Sequence, residues 1–181
     1  MIAPTFDQVA PADLEVSCDN IPPMAVLTAT DACGPVTVIS NEQITPGDCP
    51  NRYTITRTWD VTDANGNAAP TQTQTITVVD NAGPILTSTV ELKLQVNCAS
   101  IPDAPQPVFE DNCSGVVTVA FEETQTEVVN NQYSITRTWI ATDACGLATT
   151  HVQTITVQDT TAPTFVETLP TNATVECSAV P

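Results

Sequence analysis

Cysteines and acidic residues recur in this chain at intervals of about 80 residues, and both residue types can cross-link protein segments. The chain holds seven cysteines and 21 aspartates and glutamates among 181 residues. Repeat-related positions include Cys18 with Cys98 and Cys177, Cys33 with Cys113, Asp63 with Asp143, and Asp80 with Asp159. Paired thiols form disulfides in an oxidising compartment, and clustered carboxylates bind hard cations such as Ca²⁺. The sequence therefore predicts disulfides, with metal ions as a second kind of cross-link, in an extracellular or cell-surface protein.

These residues are arranged around a strand that occurs twice. Residues 53–59 read YTITRTW and residues 133–139 read YSITRTW. Alternation places Tyr53, Ile55, Arg57, Trp59 and Val61 on one face of the strand and polar residues on the other. We expect the first face to lie in the core of a small β-sandwich.

The duplication divides the chain into modules. We predict module 1 at residues 1–80, module 2 at residues 81–159, and the linker and first strand of a truncated third module at residues 160–181. A module of this size buries only about 60% of the surface of its unfolded chain, so its core needs additional cross-links.

Short β-branched segments separated by turn signals fill module 1 and predict an all-β fold. Turn signals lie at Asn20–Pro23, Asp31–Pro35, Thr45–Asp48 and Asp63–Asn67. The predicted strands are residues 14–18, 24–30, 36–40, 52–62 and 71–79, with a weaker strand at 42–45. No stretch has a convincing helical period.

Composition argues against several classes of function. Four Lys and Arg against 21 Asp and Glu give a net charge of −17, which repels nucleic acid. The sequence has no run of 18 apolar residues, so we predict no membrane insertion. His151 is the only histidine, and no pattern indicates a catalytic triad or a zinc site, so we predict no enzymatic activity.

The sequence resembles a known family through motifs that recur along the chain. These motifs are C-x-x-I-P, T-D-x-C-G, Y-x-I-T-R-T-W-x-x-T-D and T-I-T-V-x-D with a following A-P or G-P. They resemble the hyalin-repeat-like (HYR-like) modules that occur in tandem in large bacterial surface proteins, including adhesins of gliding bacteria exported by the type IX route. The resemblance implies tandem Ig-like or fibronectin-III-like sandwiches in a cell-surface stalk or adhesin.

The strand order implied by this family offers one disulfide pairing, and simple proximity in sequence offers another. In the fibronectin-III-like order, Cys18 and Cys49 share one end of module 1, and Cys113 and Cys145 share one end of module 2. We predict the bridges Cys18–Cys49 and Cys113–Cys145, with Cys33, Cys98 and Cys177 unpaired. The alternative is local pairing of Cys18 with Cys33 and of Cys98 with Cys113. A strand between the two sulfurs would hold such a pair too far apart.

The same loop order brings carboxylates to the joint between the modules. Asp80 ends the last strand of module 1, whereas Asp111 and Asp143 lie in loops of module 2 that face it. We expect these three residues to bind Ca²⁺. A weaker candidate is Asp63 with Asn65, which lacks the later acidic residue of an EF-hand loop. Asp and Asn are also ordinary turn residues, and that interpretation stays open for all five.

Two further expectations concern single residues. Arg57 and Arg137 lie on the apolar face between Ile and Trp, so we expect a core role with a ring or with Glu42 and Glu123 as partners. Thr160 follows Asp159 in a motif similar to a bacterial O-glycosylation site.

Three functions are compatible with these observations: a structural spacer that contacts its neighbouring modules, a module that binds surface glycans or proteins, and an accessory domain of a secreted enzyme. Tandem copies favour the spacer, because a stalk needs length and a recognition site needs one copy. We also expect the chain to be an excerpt of a longer protein, because Ala3–Phe6 recurs at Ala162–Phe165.

Overall fold

The computed structural model describes residues 2–113 and 115–167, which form twelve β-strands and contain no helix that could cross a membrane. Module 1 contains β1 (Thr5–Phe6), β2 (Leu14–Ser17), β3 (Ala29–Thr30), β4 (Val38–Pro46), β5 (Tyr53–Val61) and β6 (Gln72–Val79). Module 2 contains β7 (Ile85–Leu86), β8 (Lys93–Val96), β9 (Phe109–Glu110), β10 (Thr118–Gln125), β11 (Gln132–Thr142) and β12 (Ala148–Gln158). The predicted first strand of a third module lies outside the described residues.

Both modules have the same sheet topology. A four-stranded sheet has the order β2-β6-β5-β4 in module 1, and the order β8-β12-β11-β10 in module 2. The first strand of each sheet pairs in parallel with its neighbour, and the remaining pairs are antiparallel. A short two-stranded sheet, β1-β3 or β7-β9, covers the other side. The predicted all-β, Ig-like sandwich fold is thus confirmed.

The duplicated Trp strand forms the centre of each sheet. In β5 the residues Ile55, Arg57, Trp59 and Val61 are buried, and they alternate with residues that are more exposed. Ile76 and Val78 of the neighbouring strand β6 complete the buried surface. The period-two pattern of the sequence therefore describes the burial of this strand, because only one face of the sheet is covered by the second sheet.

The predicted strand at residues 24–30 is much shorter in the structure, where only Ala29 and Thr30 pair with β1. The carbonyl groups that precede it are bonded to side chains. Arg57 donates hydrogen bonds to the carbonyls of Pro22 and Pro23, and the indole of Trp59 donates to the carbonyl of Ala25 at 2.9 Å. These carbonyls are satisfied without a strand partner, and the two prolines have no N–H to donate to a ladder.

The two strands predicted at residues 36–40 and 42–45 are one continuous strand, β4. Its nine residues pair along β5 from Val38–Val61 to Pro46–Tyr53. As an edge strand it is exposed on most positions, and Ile39 and Ile44 remain 68% and 58% exposed. A strand with little burial carries no clear alternation, which explains why the sequence pattern divided it.

Candidate functional site: the junction between the modules

The site is the junction between the modules, formed by the linker Asp80–Pro84 and by loops from both sides. On the module 1 side, Cys18 follows β2 directly and Cys49 lies in the turn between β4 and β5. On the module 2 side, Cys113 lies between β9 and β10, and Cys145 lies between β11 and β12. Four loops that are far apart in sequence therefore meet at one place.

Two disulfides cross this junction. Cys18 is bonded to Cys113 with a Cα–Cα distance of 5.6 Å, and Cys49 is bonded to Cys145 with a Cα–Cα distance of 5.2 Å. Both distances lie within the ordinary range for disulfides. The sequence separations are 95 and 96 residues, so each bond joins one module to the next. Module 1 and module 2 are thus connected covalently at three places, namely the linker and the two bridges.

The predicted pairing of Cys18 with Cys49 and of Cys113 with Cys145 is wrong, although the four cysteines are the ones that form bridges. The expectation that Cys18 and Cys49 share one end of module 1 agrees with the structure, since both are bonded to module 2. That end of module 1 faces module 2, so each of its two cysteines is bonded to a cysteine of module 2 and not to the other cysteine of module 1. The local alternatives Cys18–Cys33 and Cys98–Cys113 are excluded by the same two bonds.

The linker is held by side chains of the β4–β5 turn. Asp80 is fully buried, and its carbonyl oxygen accepts hydrogen bonds from Nε and Nη2 of Arg52 at 3.1 and 2.8 Å. Its carboxylate oxygen Oδ2 accepts a hydrogen bond from Asn51 at 3.3 Å. Pro84 is also fully buried, and Gly83 runs close to Thr149 of β12. The linker is therefore anchored at both of its ends, whereas Asn81 and Ala82 between them are exposed.

Two of the three predicted calcium ligands meet at this linker. Ligand atoms of Asp80, Asp111 and Cys113 all lie within 4.8 Å of one another. The sulfur of Cys113 is in a disulfide and is not a thiolate, so the two carboxylates are the metal-binding groups of this cluster. Oδ1 of Asp80 is buried and has no hydrogen-bond partner among the described residues. An oxygen in that state, beside a second carboxylate, fits the ligand chemistry of a hard divalent cation.

Asp143 is not a member of this cluster. Its Oδ1 accepts hydrogen bonds from the backbone N–H groups of Cys145 and Leu147, both at 2.8 Å. It therefore stabilises the β11–β12 turn, in which Gly146 has a φ of 82°. Its second oxygen, Oδ2, is buried without a hydrogen-bond partner among the described residues.

The weaker metal candidate, Asp63 with Asn65, has the same turn geometry. Oδ1 of Asp63 accepts from the N–H groups of Asn65 and Asn67, and Oδ2 accepts from the side chain of Asn67 at 2.7 Å. The Asn67 side chain is the main cause that holds the pKa of Asp63 below its ordinary value. Both carboxylate oxygens are thus occupied within the turn itself.

The buried arginines have the carboxylate partners that the sequence suggests. Nε of Arg57 lies 2.8 Å from Glu42, and Nε of Arg137 lies 2.6 Å from Glu123. Each guanidinium also donates to two backbone carbonyls, and both arginines are 4% exposed. These contacts all lie within the module of each arginine, away from the junction.

Several residues that contact the junction were not among the predicted site residues. Asn51 and Arg52 follow Cys49 and were missed, although their position beside a cysteine of the joint could have drawn attention to them. Asn112 of module 2 donates to the hydroxyl of Ser17 of module 1 at 3.4 Å. Hydrogen bonds from Ser17, and then from Asn112, hold the pKa of Asp19 below its ordinary value.

The remaining predicted residues lie away from the junction. Cys33 and Cys98 are free and exposed, and Cys177 lies outside the described residues. Thr160 is exposed, and its hydroxyl accepts a hydrogen bond from Asn97 at 3.1 Å. Its modification stays a prediction.

Solved structures similar to this chain include tandem extracellular cadherin domains. A crystal structure of Drosophila N-cadherin EC1-4 matches 88% of this chain with 13% identity and a TM-score of 0.37, and the chain spans 50% of that structure. Human protocadherin-24 EC1-2 matches 88% of this chain and 99% of its own length, with 15% identity and a TM-score of 0.36. No curated protein sequence matches the chain.

One protein family matches part of the sequence itself. The matching stretch contains Cys98, Cys113 and Cys145, whereas Val129 stands where module 1 has Cys49. The predicted resemblance to HYR-like modules is supported, because residues 86–157 match the family described as an HYR-like domain with four cysteines.

Proposed function

We propose that this chain is a rigid spacer in the stalk of an extracellular, adhesion-type protein of the bacterial cell surface. The observation that carries the proposal is the pair of disulfides, Cys18–Cys113 and Cys49–Cys145, which both cross the junction. A bridge within a module would stabilise that module only. A bridge between modules restricts how one module moves relative to the next, which is the property that a stalk needs.

Two bridges restrict the junction more than one bridge would. A single cross-link beside a linker leaves a hinge about the line that joins the two connections. A third connection that lies off this line removes that hinge. The linker itself adds little freedom of movement, because its residues Asp80 and Pro84 are buried. The junction therefore resists both bending and twisting.

The chemistry of the remaining surface agrees with a spacer. The net charge of −17 keeps a long exposed chain soluble and prevents adhesion between neighbouring stalks. Four lysines and arginines in the whole chain leave trypsin-like proteases few cleavage sites, and two of them, Arg57 and Arg137, are buried. Disulfides persist in oxidising surroundings, which favours an extracellular location.

Calcium is a second element of this proposal. The carboxylates of Asp80 and Asp111 would hold the ion, and its positive charge would neutralise two acidic groups that the fold brings together. One group comes from the end of module 1 and the other from a loop of module 2. A bound ion would therefore add a further connection across the same junction. Asp143 is not one of these two ligands. It would contribute to the junction by stabilising the β11–β12 turn that contains Cys145.

Small-angle X-ray scattering tests the spacer function directly. The oxidised chain is expected to have a single maximum dimension that does not change between low salt and 0.15 M salt. Reduction of the two bridges under conditions that keep the modules folded, as checked by circular dichroism, is expected to broaden the distribution of distances. A broad distribution in the oxidised chain would contradict the proposal.

Binding of a glycan is the second candidate function, and a cavity in module 2 favours it. The cavity has a volume of about 340 Å³ and is lined by residues 104–107 together with Val119, Phe121 and Trp139. Phe121 is 49% exposed and lies 5.3 Å from the Trp139 ring, so an apolar ring face is accessible. A glycan array with the Phe121→Ala variant as the control tests this candidate, and the absence of any bound glycan on the array would remove it.

A further inference from the structure

The two free cysteines occupy the same repeat positions as two cysteines that are bridged. Cys98 of module 2 corresponds to Cys18 of module 1, and Cys33 of module 1 corresponds to Cys113 of module 2. Cys18 and Cys113 are bonded to each other across the junction, whereas Cys33 and Cys98 are free and exposed. The chain therefore presents one half of this bridge at each of its two outer ends.

The free cysteines also share the local geometry of the bridged ones. The N–H of Cys33 bonds to Oδ1 of Asp31 at 2.8 Å, and the N–H of Cys113 bonds to Oδ1 of Asp111 at 2.9 Å. The turns around Cys18 and Cys98 also have the same hydrogen bond. Asn20 N–H bonds to the Ser17 carbonyl at 3.0 Å around Cys18, and Ser100 N–H bonds to the Asn97 carbonyl at 2.9 Å around Cys98. The turn that holds each free thiol therefore has the same hydrogen bond as the turn that holds the corresponding bridged cysteine.

From this equivalence we propose that Cys33 and Cys98 are the docking cysteines for further modules of the same kind. Cys98 bonds to the cysteine at the Cys113 position of a following module. Cys33 bonds to the cysteine at the Cys18 position of a preceding module. The inference rests on the proposed spacer function, and it names the partner of each outer end as another HYR-like module placed in the same register.

The missing cysteines are consistent with this assignment. The second bridge, Cys49–Cys145, needs a cysteine at the Cys49 position of the earlier module and one at the Cys145 position of the later module. Module 1 has Asn65 at the Cys145 position, and module 2 has Val129 at the Cys49 position. Neither outer end can form the second bridge, so each outer junction has one disulfide and the central junction has two. The central junction is then stiffer than the junction on either side of it.

The bond forms by ordinary thiol–disulfide exchange. The thiolate of Cys98 attacks a small oxidant disulfide such as oxidised glutathione, which gives a mixed disulfide and releases one thiol. The thiolate of the partner cysteine then attacks the Cys98 sulfur and releases the second thiol. Two protein thiols are oxidised to one disulfide, and the oxidant disulfide is reduced to two thiols.

A tandem protein provides the test. Residues 1–161 are followed directly by residues 3–181 of a second copy, so that Thr161 precedes Ala3 as it precedes Ala162 in the chain itself. Cys98 of the first copy then faces Cys33 of the second copy across a junction in the natural register. The second copy carries Cys177→Ser, and the protein is folded in a glutathione redox buffer.

The readout is the number of thiols that react with an alkylating reagent after unfolding. Each copy contributes the two free cysteines Cys33 and Cys98, which gives four thiols without the proposed bridge and two thiols with it. Peptide mapping is expected to find Cys98 linked to Cys33. The matched control, Cys33→Ser in the second copy only, is expected to leave Cys98 of the first copy without a partner. Three thiols should then react, namely Cys33 and Cys98 of the first copy and Cys98 of the second copy.

Four reactive thiols in the folded tandem protein, with both central bridges intact, would overturn the inference. So would a peptide map that links Cys98 to any cysteine other than Cys33. Neither result would affect the scattering test of the single chain, because that test depends only on the central junction. Failure of the further inference and failure of the spacer function are therefore distinguishable.

Discussion

Cys18, directly after β2, is bonded to Cys113 in the β9–β10 loop, so a loop of module 2 is fixed to the end of module 1 that faces it. The bond closes a segment of 95 residues that contains the linker and most of module 1. Its effect on stability therefore depends on both modules at once. The junction is as much a part of the folded unit as either core.

Removal of this bridge is expected to destabilise the whole described chain. The double variant Cys18→Ser/Cys113→Ser should lose about 4 to 5 kcal/mol of unfolding free energy, since a cross-link over a loop of 95 residues restricts the unfolded chain by about that amount. Urea denaturation followed by tryptophan fluorescence measures the loss. The matched control is Cys33→Ser/Cys98→Ser, which removes two free and exposed thiols and should leave the midpoint unchanged. Equal midpoints for the two double variants would contradict a stabilising role of the bridge.

The ends of the strands, and hence the loop that each cysteine occupies, could be predicted from sequence, whereas the disulfide partners could not. Alternation in YTITRTW defined β5, and the strand order placed Cys18 and Cys49 at one end. A pair within a module and a pair across the junction both satisfy that placement. The choice depends on how module 2 is oriented on module 1, which no local pattern encodes.

The positions at which a cysteine is absent are compatible with both arrangements. Asn65 and Val129 are the two positions at which a cysteine is absent. With pairing inside modules, each absence leaves a cysteine of the same module without a partner, namely Cys33 in module 1 and Cys98 in module 2. With pairing across junctions, the same absences leave the central junction complete. The second arrangement accounts for both bridges of the structure.

Substitution of the buried arginine is expected to be costly even when the charge is kept. Arg57→Lys should destabilise module 1 by about 2 to 4 kcal/mol, because one ammonium group cannot reach Glu42 and the carbonyls of Pro22 and Pro23 together. Glu42→Gln should cost less, since Glu42 is 39% exposed and solvent weakens the ion pair. Thermal unfolding of both variants gives the comparison. A larger loss for Glu42→Gln would show that the ion pair, and not the carbonyl contacts, dominates.

The β4–β5 turn should tolerate no side chain at Gly47. A Cβ at this position would collide with the carbonyl oxygen of Arg52 and lie 2.9 Å from its carbonyl carbon. Gly47→Ala should therefore destabilise the chain by about 1 to 3 kcal/mol and disturb the adjacent Cys49 bridge. Gly34→Ala is the control, because a Cβ there meets no atom within 4 Å. Chemical denaturation of the two variants tests the difference, and equal stabilities would refute it.

Acid should weaken the β5–β6 turn through Asp63. Hydrogen bonds, first from the Asn67 side chain, hold the pKa of Asp63 below its ordinary value in the folded state. The stabilisation is therefore complete above the unfolded pKa of about 4 and is lost as the pH falls through the lower folded pKa. Asn67→Ala should raise the pKa of Asp63, as measured by NMR titration of its carboxyl carbon. An unchanged pKa in that variant would contradict the assigned cause.

Calcium binding at the junction should depend on Asp80. Millimolar Ca²⁺, the range of weak extracellular sites, should raise the melting temperature of the oxidised chain, because an ion bound only by the folded state stabilises it. Asp80→Asn should abolish that increase and the heat of binding in calorimetry, since it removes one of the two carboxylates that meet within 4.8 Å. Glu15→Gln, on an exposed position of β2, lowers the acidic charge of module 1 equally and should retain both.

Magnesium at the same concentration separates a specific site from general neutralisation of the acidic surface. A site built from Asp80 and Asp111 within a packed junction should favour the larger ion, because Mg²⁺ gives up its water ligands reluctantly. Equal effects of the two ions on the wild-type chain and on Asp80→Asn would show that the charge of −17 is merely screened. In that case the two disulfides alone would stiffen the junction.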